Sequence, residues 1–245
     1  MEYRKMMLSF LKLLVEKRGI EVEPIGIIQV KGREVKIVEL DIKVNELFDK
    51  EYFLNHMMEN GLGFDVLDFY IEEAFEFMEE IKKKINQYIM IMLKIEECII
   101  QDKYFMSWIE YIKEICSDFK INPADIIIEV KSSREEQSEI NIYREMKGIE
   151  KIREYGFKVA LSSMNRVIER LEEKYIEIID TKQVDINTYK NRQRVSKSKE
   201  VLIRGEKNIE NLEGIEYDYL EIEEKLCNIE VKCKRVIEVE SDMHF

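Results

Sequence analysis

The chain has 245 residues, a formal net charge of −12, two prolines and nine glycines. That length suffices for one large domain with a substantial core, and so few breakers leave no visible linker. The acidic balance argues against nucleic acid as a general partner, since phosphate neutralisation needs clustered Lys and Arg, and the apolar runs are too short and too charged to cross a bilayer.

In chain order, residues 3 to 18 set Met7, Phe10, Leu11 and Leu14 at helical spacing. This opening helix caps its own core or dimerises. Two strand-like runs follow, IGIIQV (25 to 30) and VKIVEL (35 to 40), joined across Gly32 as a hairpin. Over 66 to 85, Leu67, Ile71, Ala74, Met78, Ile81 and Ile85 step by three and four, as in a long amphipathic helix. The basic run Lys82-Lys83-Lys84 at its end reads as a solvated face. Then come the strand YIMIML (88 to 93), a helical stripe from Phe105 to Phe119, the strand DIIIEV (125 to 130), a stripe from Ile142 to Ile152, and the strand FKVAL (157 to 161). Further strands are predicted at YIEII (175 to 179), EVLIR (200 to 204) and EYDYLEI (216 to 222). Cys98, Cys116, Cys227 and Cys233 form no CxxC pair, and no signal peptide is recognisable. Buried, reduced thiols in a cytoplasmic protein are the expectation.

Eight strands, mostly alternating with helices, favour a parallel sheet that closes into a TIM-like (β/α)8 barrel. Its first strand is expected to be antiparallel, because so short a hairpin cannot carry a parallel crossover. The whole chain, 1 to 245, is read as a single domain: an N-terminal helix over 1 to 22, the barrel over 25 to 222 and a C-terminal extension over 223 to 245. In such barrels the carboxyl ends of the strands carry the site. Those positions are Glu39, Lys94, Glu129, Ser162 with Ser163, Ile178 to Asp180, Arg204 and Tyr219. Ser162 lacks a histidine to activate it, since His56 lies in a helical stretch and His244 at the tail. Glu39 and Glu129 read as ion-pair partners rather than as an acid and base pair of glycosidase type.

The ordered series of motifs resembles the EAL domain, the cyclic di-GMP phosphodiesterase family of bacterial signalling proteins. KIVELDIKV places Glu39 where the family has the Glu of its signature, and Lys43 where it usually has Arg. FLNHMMENGLGF (53 to 64) is similar to the family's FIPLAEETGLI, DIIIEV to its LEITE, IREYGFKVALSSM to its LRELGVRIALDDFG, and IIDTKQV to its KIDRSFV. The resemblance implies an EAL-type barrel. It also implies a degenerate site, because family members hold two Mg²⁺ or Mn²⁺ ions through carboxylates and an Asn, and the ions activate a water. Glu39 and Glu129 are retained, but Lys94 replaces the Asn and Ser162 and Ser163 replace an Asp pair. Ile178 replaces a Lys, whereas Asp180 keeps its Asp. Arg204 and Lys207 take the places of the acids of AEGVE, and Tyr219 that of a Gln. Hard divalent ions need several anionic oxygens. Lys94 is therefore expected to stand in for metal beside Glu39 or Glu129, an attraction of roughly 4 kcal/mol at an effective dielectric of about 20.

The expectation is a catalytically inactive regulatory domain with no metal and no cofactor, acting on a regulatory protein partner. The alternative is a metal-independent cyclic di-GMP receptor, with Lys43, Lys207 and Tyr219 as candidate ligand-binding residues. A residual phosphodiesterase or an unrelated barrel hydrolase carries little weight. A homodimer is left open.

Overall fold

A computed structural model describes Ser9 and residues 20–30, 36–44, 50–84, 88–131, 139–162, 175–180, 200–205 and 217–222. Strand β1 (Ile20–Val30) runs antiparallel to β2 (Lys36–Val44). Five residues separate them, too few for the dozen or more that a parallel crossover takes. After β2 come helices α1 (Lys50–Glu59) and α2 (Gly63–Lys84), then β3 (Ile89–Glu96). A short α3 (Glu97–Ile100) and α4 (Phe105–Asp118) lead through a 3-10 turn at Pro123–Asp125 into β4 (Ile126–Lys131). Helix α5 (Glu139–Glu154) precedes β5 (Lys158–Ser162), and β6 (Ile176–Asp180), β7 (Glu200–Arg204) and β8 (Tyr219–Ile222) complete the sheet.

The eight strands close in sequence order, with β8 pairing back onto β1. Strands β2 to β8 are parallel to their neighbours, and β1 is antiparallel on both sides. This is the mixed α/β barrel with an antiparallel first strand that the alternation of patterns predicts. Two boundaries differ. β1 begins at Ile20, not Ile25, so Ile20 to Val22 are strand rather than the end of a helix; alternating burial of Ile20 and Val22 explains why. β2 extends to Val44, which puts Glu39 inside the strand and not at its tip. Apart from Ser9, which is helical, residues 1 to 19 lie outside the described residues, as do the extension from 223 on and residues 163–174, 181–199 and 206–216.

Alternation along each strand divides the core in two. One face, with Val38, Leu40, Ile91, Leu93, Ile126 and Ile128, packs against the helices. The α2 stripe of Leu67, Tyr70, Ile71, Ala74, Phe75 and Met78 is buried in this cluster, with side chains of α4 and α5 such as Ile112 and Ile149. Each such large side chain contributes on the order of 1.5–3 kcal/mol of burial. The other face lines the barrel, where Ile37, Met90, Met92, Ile127, Ile176, Leu202 and Tyr219 fill the interior. Close helix packing needs a small residue at Gly148 of α5, where an added Cβ would lie 2.3 Å from Ile100 Cγ1. Among the described residues no helix is long and apolar enough to cross a membrane.

Candidate functional site

Glu39 of β2, Lys94 of β3, Glu129 of β4 and Arg204 of β7 face the barrel interior on the carboxyl side of its apolar layer. The alternation that buries Ile37, Met92, Ile127 and Leu202 inside the barrel carries these four side chains to the same face, one step further along. The Arg204 guanidinium lies at the centre. Its Nη1 donates to Glu129 Oε1 at 2.8 Å and its Nη2 to Glu129 Oε2 at 2.9 Å, a two-pronged grip that matches the planar fork to the carboxylate. The same Nη2 also donates to Glu39 Oε1 at 2.6 Å, and Lys94 Nζ reaches that oxygen at 2.7 Å. Glu39 and Glu129 are both buried. Burial by itself raises the Glu129 carboxyl, but hydrogen bonds and charge from Arg204, with help from Lys94 and Lys131, hold it below its ordinary range.

A second tier of charges lies two residues further along the same strands. Lys50, the first residue of α1, pairs with Asp41 of β2 and lies 3.8 Å from Glu96 of β3. Lys131 of β4 pairs with Glu96 at 3.3 Å, its neighbour in register. Burial lowers the Lys131 ammonium, yet Glu96, Asp41 and Glu129 outweigh it and raise the group above its ordinary value. Tyr70 of α2, fully buried, donates to the Leu40 carbonyl oxygen at 2.6 Å and accepts from the Lys94 backbone N–H at 3.1 Å. Burial, and then Asp41, push its hydroxyl well above the ordinary tyrosine value, so it remains a neutral donor. Sequence reading misses Tyr70 because it sits in a helical stripe like any core aromatic, and misses Lys50 because one lysine at a helix start carries no signal.

The other residues singled out from the sequence lie as follows. Asp180 ends β6 beside Arg204 in register, and Ser162 ends β5 beside Ile178. Ile178 belongs to the apolar interior and not to the charged tier, because its neighbours across the barrel are the hydrophobic residues of the lower layer. Lys43 pairs with Glu23 across the hairpin at 3.0 Å, on the exposed overhang beyond the site. The expected position of Tyr219 at a carboxyl strand end is corrected: it is the first residue of β8, and its hydroxyl donates to Glu200 at the start of β7. The strand starts three residues later than the apolar pattern suggests, which turns Tyr219 to the opposite end of the barrel. Ser163 and Lys207 lie outside the described residues.

The residues present do not fit a pair of divalent ions. A metal at Glu39 and Glu129 would need the carboxylate oxygens that Arg204 and Lys94 already hold at 2.6–2.9 Å, and the two cations would repel it at close range. Among the described residues, no group of three or more His, Cys, Asp or Glu is arranged to hold a metal ion.

No protein family matches the chain in sequence, and no curated protein matches it. Solved structures do. The FimX EAL domain superposes with a TM-score of 0.64 at 12% identity, covering 87% of this chain and 92% of its own. The PaMucR phosphodiesterase in complex with c-di-GMP gives 0.61 at 12%, covering 88% and 94%. The FimX EAL domain of Xanthomonas citri in complex with c-diGMP gives 0.60 at 11%, covering 90% and 92%. With the barrel order, the antiparallel first strand and these superpositions in agreement, the chain has the fold of an EAL domain.

Proposed function

We propose that the chain is a catalytically inactive EAL-like regulatory domain of bacterial signalling that acts by binding a protein partner. The observation that supports it is the Arg204 guanidinium spanning Glu129 and Glu39, with Lys94 on the second carboxylate. Two internal cations neutralise the two acids that a hydrolytic centre would give to metal. Held in this way, Glu39 and Glu129 are not free to bind ions that would lower the pKa of an attacking water, which is the task the ions perform in metal-assisted hydrolysis. The expected result of incubating the purified chain with cyclic di-GMP and Mn²⁺ or Mg²⁺ is no linear dinucleotide above a Glu39→Ala control. Turnover above that control overturns the reading.

A second reading is a metal-independent cyclic di-GMP receptor. It is favoured by fold neighbours solved with that ligand, the FimX EAL domains of Pseudomonas aeruginosa and Xanthomonas citri. Electrostatics weigh against it. Among the described residues at the barrel mouth, Glu39, Asp41, Glu96, Glu129 and Asp180 face Lys50, Lys94, Lys131 and Arg204, five acids against four bases, so these residues offer a dianion no excess of positive charge. Calorimetric titration with cyclic di-GMP separates the two readings. No heat is expected; micromolar binding favours the receptor.

A further inference from the structure

β2 and β3 pair only from Lys36 with Ile89 to Leu40 with Leu93, although β2 runs on to Val44 and β3 to Glu96. Beyond Leu40 the two strands part. β2 keeps β1 as its partner there, out to Ile20 with Val44, past a break in register between Pro24 and Gly26. Bulges of this kind bend a strand locally. Residues 20–24 and 40–44 thus form a two-stranded arm that leaves the barrel sheet at the bulge.

Two side chains span the split in place of backbone hydrogen bonds. The Tyr70 hydroxyl stands between the Leu40 carbonyl, at 2.6 Å, and the Lys94 N–H, at 3.1 Å, and serves both. One step outward, Lys50 joins Asp41 of the arm to Glu96 of β3. We propose that the arm is a conformational unit clasped to the barrel by Tyr70 and Lys50, and that closing the clasp seats Glu39 on Lys94 and Arg204. Glu39 is the residue just before the split, opposite Gly26 at the bulge, so a swing of the arm moves it first. The buried face of the arm, with Ile20, Val22, Ile42 and Val44, holds it against the apolar core without fixing its direction. Tyr70 and Lys50 supply directional contacts across the split. Anything that grips the arm from outside is in this way coupled to the charged centre, and this coupling does not depend on whether the barrel binds a protein or a nucleotide.

Hydrogen exchange read by mass spectrometry on the full chain tests the clasp. Tyr70→Phe keeps the ring and removes the hydroxyl that spans Leu40 and Lys94, whereas Lys50→Gln removes the charge and Lys50→Arg keeps it. Exchange of the amides of residues 40–44 is expected to rise roughly tenfold or more in Tyr70→Phe and Lys50→Gln and to stay near the parent rate in Lys50→Arg, with β4, β5 and α5 unchanged. In the parent chain the same amides are expected to speed up in about 1 M salt, where the Debye length is about 3 Å. Unchanged exchange at 40–44 in both variants, or equal acceleration throughout the barrel, overturns the proposal. If Tyr70→Phe fails to fold, Lys50→Gln and the salt series decide alone: a local rise supports the clasp, and its absence refutes it.

Discussion

The two ends of the barrel interior are built on opposite principles. Towards the amino ends of the strands, Ile37, Met90, Ile127, Ile176 and Leu202 fill the space as an ordinary apolar core. Towards the carboxyl ends, Glu39, Lys94, Glu129 and Arg204 fill the same cross-section with charge. The apolar layer gains stability from each side chain it buries, so truncation costs in proportion to volume. The charged layer gains little as a whole, because desolvation offsets attraction, yet it cannot lose one member without leaving another buried and unpaired. The lower layer is stable by addition and the upper by balance.

The largest effect is expected where that balance breaks. Glu129→Ala leaves the Arg204 fork without its main acceptor and should destabilise the chain by about 3–5 kcal/mol in urea denaturation. Replacing Glu39, Lys94, Glu129 and Arg204 together by Met should cost far less, or even stabilise; a quadruple variant as unstable as Glu129→Ala would show that the layer is additive after all. In the apolar layer, Ile127→Ala should cost about 2–4 kcal/mol. Outside the barrel, Gly148→Ala, whose Cβ would meet Ile100 at 2.3 Å, should cost about 1–3 kcal/mol by overpacking, read as a lower melting temperature.

Acid provides a graded version of the first experiment. The folded Glu129 carboxyl titrates below its ordinary value of 4.5, so its contribution is complete above that value and is lost as pH falls through the lowered folded one. Stability measured by denaturant should fall in that acid window, and Glu129→Gln should flatten the slope there. The smallest effect is a gain. Helices α1 and α5 end at Gly61 and Gly156 with positive φ, whereas α4 ends at Lys120 with φ 53°. Lys120→Gly should therefore stabilise by about 0.5–1 kcal/mol, seen as a slightly higher melting temperature.

The strands and the inward placement of Glu39, Lys94 and Glu129 were legible because period-two alternation fixes which side chains share a face. Arg204 was legible as a strand-end cation but not as the link between β7, β4 and β2, since its partners lie 75 and 165 residues away and no local pattern encodes such a distance. Tyr70 was hidden for a different reason: its ring obeys the apolar stripe of α2, and only its hydroxyl does something else. Tyr219 was misplaced because the aromatic run from Tyr217 looks like strand before the ladder begins. Cys116 followed the plain expectation of a buried thiol, pushed by burial to about 12.

The antiparallel first strand also bears on how the chain folds. β1 and β2 can pair as a local hairpin early, but the ring closes only when Ile27 meets Ile222, 195 residues further along the chain. Loops that long form slowly, so closure is expected late, with one edge of β1 open until then. A chain that stops before Tyr219 keeps that edge for good and should self-associate through it, which light scattering of a truncation at residue 216 would reveal.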